Sequence, residues 1–330
     1  MNFVLIFYFM FAGWPGEVSP SAEFPRAQIS NGLIEAGLLL PDSAIGYYQG
    51  TRFDWSGVIE TLEYKGHTYF GQWFKKYDPK RHDAIMGPVE EFEPVGYEAA
   101  SVGDIFLKIG VGALVKKTDK PYSSFNLYDI RNPGKWKVKK GVNQVEFTQH
   151  LKDAKGYSYV YRKTVRLQQG RPELVLEHSL KNTGKLTIET NVYDHNFYLI
   201  DNEPTGPEIK IKFPFELQGT GRGLGTFAKF NGNEINYTRN LNEREDMYIG
   251  PLEGFGKGAE DYDFRIENQK SGAGVRIIGD KPLSRMVFWA SPTVSCPEPY
   301  IHIKAEPGKE FTWKITYQFY ELPKAVSSLP

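Results

Sequence analysis

Hydrophobic and polar positions alternate with period two in short runs along most of this chain. Val58–Tyr64 (VIETLEY) ends at Lys65-Gly66, and Tyr157–Leu167 (YSYVYRKTVRL) is aromatic and β-branched. Leu174–Leu180 (LVLEHSL) leads into Asn182-Thr183-Gly184, a turn, and Leu186–Val192 (LTIETNV) alternates after it. Ile209–Phe213, Val275–Ile278 and Phe311–Phe319 repeat the pattern. Alternation places one face against a core and one in water, so each run reads as a half-buried strand. Ile105–Val115 (IFLKIGVGALV) reads as an apolar strand containing glycines. Glu35–Leu40 and Ala84–Glu91 are the candidates for short helices, each with too little period to define one. Lys135–Lys140 (KWKVKK) has strand-like spacing and reads as a solvated sheet edge. Many short strands joined by turns predict an all-β fold, a large antiparallel sandwich or barrel.

One segment departs from this pattern. Phe3–Ala12 (FVLIFYFMFA) holds ten apolar residues without a charge. At about 1.5 Å per residue it is too short to cross a hydrocarbon core of roughly 30 Å. It has the length of a signal-peptide core and is followed by small and turn residues up to Ala22, although no Lys or Arg precedes it. Residues 1–22 therefore read as a signal peptide and 23–330 as a single domain. That domain is exported, periplasmic or extracellular, and keeps no stable membrane insertion after cleavage. The other reading of the apolar run is a strand buried in the domain.

Composition sharpens the β assignment and narrows the function. The 330 residues include 22 Phe, 20 Tyr, 6 Trp, 33 Gly and 21 Pro, a mixture typical of strands and turns. Forty Lys and Arg balance forty Asp and Glu, which argues against a nucleic-acid surface and against an acidic disordered tail. The single cysteine, Cys296, excludes an intramolecular disulfide and any multi-cysteine zinc site. Walker-type, H-E-x-x-H and G-x-S-x-G motifs are absent, and Gly219–Gly225 (GTGRGLG) reads as a turn rather than a phosphate cradle.

The candidate chemistry lies in three segments. His82 sits in the polar stretch Arg81–Phe92, and Arg81 beside it favours an acidic ligand. His195 sits among aromatics in Asn191–Leu199 (NVYDHNFYL), just after an alternating strand. Glu298 stands between two prolines in Ser295–Ile301 (SCPEPYI), which restrict the backbone and hold it extended. A carboxylate fixed in that way suits a positioned base. His178 reads as structural, Glu90 and Glu91 as solvated or capping residues, and His302 as facing either the Glu298 loop or solvent.

Together these segments resemble the galactose mutarotase (aldose 1-epimerase) family. Gly50–Gly66 (GTRFDWSGVIETLEYKG) is similar to the family's early segment, with Arg52 and Gly66 at its spacing and Thr51 intervening after Gly50. His82 lies where the family has His-Gly-Gly, here His-Asp-Ala, with Gly87 following. Asn191–Leu199 is similar to the family's Asn-His-x-Tyr-Phe stretch, with Asp194 in place of the Asn. Ser295–Tyr300 with Glu306–Tyr317 is similar to its Glu-Pro signature and final strand, and Asp261 resembles its sugar-binding Asp. The resemblance spans roughly residues 30 to 322.

What the resemblance implies is a large antiparallel β-supersandwich and an isomerase that interconverts sugar anomers. It assigns Glu298 as base and His195 as acid, with Arg52, His82 and Asp261 binding the sugar, and it requires no metal or organic cofactor. Trp289 or Tyr300 is a candidate platform for the sugar's C–H face. The expected partner is a carbohydrate, either an aldose or an oligosaccharide. A polysaccharide lyase or glycoside hydrolase on the same scaffold, or a non-catalytic sugar-binding protein, are the competing functions.

Overall fold

The computed structural model describes residues 24–323, so the apolar run 3–12 and the expected leader lie outside the described residues. Apart from two 3-10 turns, Ile200–Asn202 and Ala259–Asp261, the regular structure described is β-strand. A ten-stranded and a six-stranded sheet dominate, accompanied by a four-stranded and a three-stranded sheet. The strands within them pair antiparallel, as the alternation predicts.

Period two explains the packing directly. In Tyr157–Leu167, Tyr159, Tyr161, Lys163, Val165 and Leu167 all point inwards and are fully buried. The neighbouring strand Glu173–Asn182 turns Leu174, Leu176, His178 and Leu180 the same way, and Glu310–Glu321 adds Trp313, Ile315, Tyr317 and Phe319. One continuous apolar cluster joins this face to Phe92, Ile249, Phe288 and Ile301 of the six-stranded sheet. A second cluster, with Tyr48, Phe53, Trp55, Val89, Phe106, Leu114 and Phe197, covers part of the opposite face of that smaller sheet.

Several local expectations need correction. Neither helix candidate is a helix. Ile34–Leu39 is a strand between Arg26–Ser30 and Val58–Tyr64, and Gly87–Phe92 is a strand with all six residues buried. Burial on both faces removes the alternation that would have marked that second strand. Ile105–Val115 is a hairpin rather than one strand. Ile105–Lys108 pairs back onto Gly112–Val115, and the turn is permitted by Gly110 at φ 78°, where an added Cβ would also collide with Asp54. Gly219–Gly225 begins within an edge strand, Gln218–Arg222. Lys135–Lys140 does lie at an edge, that of the ten-stranded sheet.

Candidate active site

The six-stranded sheet runs in the order Gln218–Arg222, Met247–Glu253, Arg285–Ala290, Ser295–Ala305, Ile188–Phe197, Gly87–Phe92. In Ile188–Phe197 the strand period turns Tyr193, His195 and Phe197 to one face, and Asp194 and Asn196 to the other. Ser295–Ala305 lies antiparallel beside it with Tyr193 opposite Tyr300. That register brings Glu298 alongside His195, and His195 Nε2 stands 3.2 Å from Glu298 Oε1. The two residues are only 3% and 5% exposed. Asn196 secures the Pro297–Glu298–Pro299 stretch by donating from Nδ2 to the Pro297 carbonyl at 2.9 Å.

Aromatic rings define the His195 environment. Its ring stacks on Phe197 at 3.9 Å between centroids and meets the edges of Phe53 at 5.6 Å and Trp289 at 5.7 Å. Its Nδ1 is buried without a hydrogen-bond partner among the described residues. Burial, and then the charge of Arg52, holds the imidazole well below its usual pKa. Burial pushes the Glu298 carboxyl up to about 8, with Arg52 opposing and Glu91 reinforcing the shift. At neutral pH the carboxyl therefore keeps its proton and faces an uncharged imidazole.

Arg52 forms the neighbouring wall. It donates from Nε to Glu91 Oε2 at 2.6 Å and from Nη2 to the Tyr193 hydroxyl at 3.0 Å. Tyr193 in turn donates to Glu91 Oε2 at 2.6 Å. Lys108 Nζ stands 3.5 Å from the other Glu91 oxygen. Burial works against an ionised Glu91, but Arg52 and Lys108 outweigh it and hold the carboxyl below its usual range. The guanidinium also packs on the rings of Phe53 at 4.5 Å and Phe125 at 5.1 Å. His82 meets the same Phe125 ring edge-on at 5.1 Å. Partial burial lowers the His82 pKa, with Asp83 opposing.

Four of the five expected site residues are thus linked by contacts, and Asp261 is not. It sits in the 3-10 turn Ala259–Asp261, where its carboxylate accepts the backbone N–H of Gly256. Among the described residues it makes no hydrogen bond or ion pair with the other four. Tyr300 is not free to act as a platform, since Tyr193 stacks on it at 4.2 Å and the Arg285 guanidinium lies over it at 3.7 Å. Trp289 remains beside His195. His302 is half exposed on the same face of the sheet, beyond Tyr300, where it pairs with Glu189 at 3.2 Å and not with His195 or Glu298.

Glu90 and Glu91, expected to be solvated or capping residues, are both buried and paired. Glu91 completes the Arg52 wall. Glu90 faces the other side of the sheet, where it bonds the buried Lys163 ammonium and His178 Nε2, the latter at 2.6 Å. Sequence reading missed Glu91, Tyr193, Lys108 and Phe125 as parts of the site. The adjacent pair Glu90-Glu91 offered one signal, because consecutive strand residues face opposite ways and each then needs its own cationic partner. Among the described residues, no group of three or more His, Cys, Asp or Glu is arranged to hold a metal ion.

No protein-family model matches the chain, and no curated protein matches it in sequence. Solved structures do match. The galactose mutarotase related enzyme from Lactobacillus acidophilus aligns over 92% of this chain and 100% of its own, with a TM-score of 0.55 and 11% identity. The GalM/aldose epimerase homologue from C. elegans aligns over 91% and 100%, with a TM-score of 0.54 and 14% identity. A galactose mutarotase-like protein from Clostridium acetobutylicum aligns over 89% and 95%, with a TM-score of 0.54 and 13% identity. The fold is that of the galactose mutarotase-like β-supersandwich. Likeness at such identities is a likeness of architecture, and one architecture hosts many activities.

Proposed function

We propose that this protein is a carbohydrate-active isomerase of the aldose 1-epimerase type, in which Glu298 and His195 exchange protons with the hemiacetal of a sugar. The observation that carries this reading is the buried His195–Glu298 contact at 3.2 Å, with opposite pKa displacements on its two members. Opening a pyranose requires a proton to reach the ring oxygen and another to leave the C1 hydroxyl. Glu298, protonated at rest, gives its proton to the ring oxygen as the C1–O bond breaks. His195, neutral at rest, takes the C1 hydroxyl proton as the aldehyde forms. Rotation about C1–C2 presents the other carbonyl face, and reclosure reverses both transfers. The pair ends with the proton it began with.

This resting distribution starts the cycle from the opposite assignment to the one implied by the family resemblance, where Glu298 is the base. The Arg52 guanidinium stays charged because Tyr193 and Glu91 outweigh the effect of burial. A fixed positive charge beside the pair stabilises negative charge developing on sugar oxygens. A hydrolase is less well supported. Glycoside hydrolysis ordinarily uses two working carboxyl groups, and Glu91 is committed to Arg52, Tyr193 and Lys108.

Saturation-transfer NMR on a panel of aldoses tests the proposal. Glu298→Gln should lower catalysed anomer exchange at least ~100-fold, and His195→Asn should lower it by about 10²–10⁴-fold, the usual worth of one acid–base group. For the wild type, kcat/KM should fall as pH rises through about 8, because Glu298 then lacks the proton it donates. A wild type that accelerates no aldose but cleaves an oligosaccharide would overturn the isomerase reading.

A further inference from the structure

The basic strand Lys135–Lys140 (KWKVKK) takes no part in the His195–Glu298 site. It forms an edge of the ten-stranded sheet and pairs on one side only, with Gln144–Ala154. Strand period turns Trp136 and Val138 inwards, where they pack against the core, and Lys135, Lys137 and Lys139 outwards. The register carries this basic row across the solvent face of the sheet. Lys137 lies opposite Thr148 and that residue opposite Arg162, while Lys135 lies in line with His150, Val160 and Lys181. Residues directly opposed across strands share a face. Strands lie about 4.8 Å apart and alternate residues about 7 Å apart, so neighbouring cations stand within about one Debye length of each other.

Counter-charge is scarce on this face. Among the described residues, Lys135, Lys137, Lys139, Lys152, Arg162 and Lys181 make no ion pair. Glu177 is taken by Arg166 at 2.5 Å, and Glu310 accepts the Ser179 hydroxyl. Glu146, opposite Lys139, is the carboxylate that remains among the cations. Burial, and then Lys137, Arg162 and Lys152, lower the pKa of His150, with no carboxylate opposing them. The formal charge of the whole chain is +0, so this concentration of positive charge is a local feature. The chain also enters the domain at this edge. Lys140 Nζ donates to the Arg26 carbonyl at 2.8 Å, and the Ser30 N–H donates to the Val142 carbonyl at 2.9 Å. The first described strand, Arg26–Ser30, thus lies against the turn after Lys140, and the apolar run Phe3–Ala12 precedes it in the sequence. At that turn Val142 is 84% exposed, close to Lys139 and Lys140. An apolar tip with basic flanks suits the headgroup region of a bilayer, where the tip meets acyl chains and the ammonium groups meet phosphates.

We infer that this edge and its basic face dock the protein on the surface of a bilayer containing anionic phospholipid, without spanning it. The arrangement favours lipid over a linear polyanion such as nucleic acid. The cations spread over four strands of an open sheet face rather than lining a cleft. Five of the six are Lys, whose point charge lacks the bidentate fork with which Arg grips a single phosphate. Each cation brought to an anionic surface strengthens partitioning about fivefold.

Vesicle sedimentation of the protein purified from its native host tests the inference, independently of any sugar chemistry. In about 0.1 M NaCl, partitioning onto phosphatidylcholine vesicles should rise at least ~30-fold when about 30 mol% phosphatidylglycerol is included, and about 0.5 M NaCl should remove most of the rise. Lys135→Glu, Lys137→Glu and Lys139→Glu together should lower partitioning at least ~100-fold. Val142→Asp should lower it several-fold. Lys120→Glu, Lys229→Glu and Lys257→Glu together change the net charge equally at exposed positions elsewhere, and should lower it less than ~10-fold. Near-UV circular dichroism confirms that each variant is folded. Equal partitioning of the wild type onto neutral and anionic vesicles, or equal losses in the two triple variants, would overturn the inference. So would salt-dependent binding to a short DNA duplex with none to the vesicles, which would assign the face to a linear polyanion.

Discussion

Asp194 shows how one residue is set by the strand it occupies. It lies between two site residues, Tyr193 and His195, yet points to the opposite face, where the Tyr317 hydroxyl meets its Oδ2 at 2.7 Å. Burial, and next the charge of Glu90, pushes its pKa up to about 8 from a usual 3.8, against the pull of Lys163. Between those two pH values folding takes up a proton, so this residue's contribution to stability falls as pH rises from about 4 to about 8. A protonated Asp has nearly the shape of the Asn that the mutarotase resemblance implies at this position. Asp194→Asn should therefore match the wild type closely in urea unfolding at pH 4 and exceed it at pH 8 by on the order of 5 kcal/mol. A variant that is less stable at both pH values would show that the carboxylate form is the one the fold requires.

At the level of elements, the two large sheets meet over an apolar core interrupted by a buried polar network around Lys163. Lys163 reaches from Tyr157–Leu167 to Glu90 on Gly87–Phe92 and also donates to the Ser56 carbonyl at 3.1 Å. Asp54 accepts from Tyr161 at 2.8 Å and from the Ser56 hydroxyl at 2.7 Å. These bonds fasten the segment after Arg52 to both sheets, and Arg52 and Phe53 are positioned accordingly. Removing one member of a buried ion pair strands the other, at a cost of roughly 3–5 kcal/mol. Lys163→Met should thus lower the urea midpoint with little change in slope, and Lys163→Met with Glu90→Gln should recover part of the loss. An additive double variant would show that the two residues do not act as a pair.

For the whole molecule, the described residues form sheets of ten, six, four and three strands, and among them no helix is long and apolar enough to cross a membrane. Phe24 packs against Tyr47 at 5.2 Å and Tyr77 at 5.7 Å, just before the first described strand. A leader removed near Ala22 would leave these contacts in place. N-terminal sequencing of the protein from its native host should therefore begin close to residue 23, in an exported fraction. Recovery with Met1 intact from the cytoplasm would reject the export reading.

Much of this was legible along the chain, because strand alternation is a local property. Tyr157–Leu167 and Phe311–Phe319 display the period, and the observed strands Tyr157–Leu167 and Glu310–Glu321 follow it. His195 and Glu298 stood out by their settings, one among aromatics and one between prolines, and the mutarotase resemblance joined them across 103 positions. Glu90 and Glu91 offered only their adjacency as a signal and read as solvated, since burial on both faces hides the period and their partners are distant in sequence. Lys163 lies 73 residues from Glu90, and His178 lies 88 away. The direction of the proton on the His195–Glu298 pair was equally hidden, because it depends on how much water the folded sheets exclude. Nor could the chain alone show that Asp261 is held by its own loop or that Phe125 lies over Arg52. Local patterning thus determined the strands and the candidate residues. Which charges are buried and which are paired was decided by tertiary packing, since only the sheet registers bring those groups within hydrogen-bonding range.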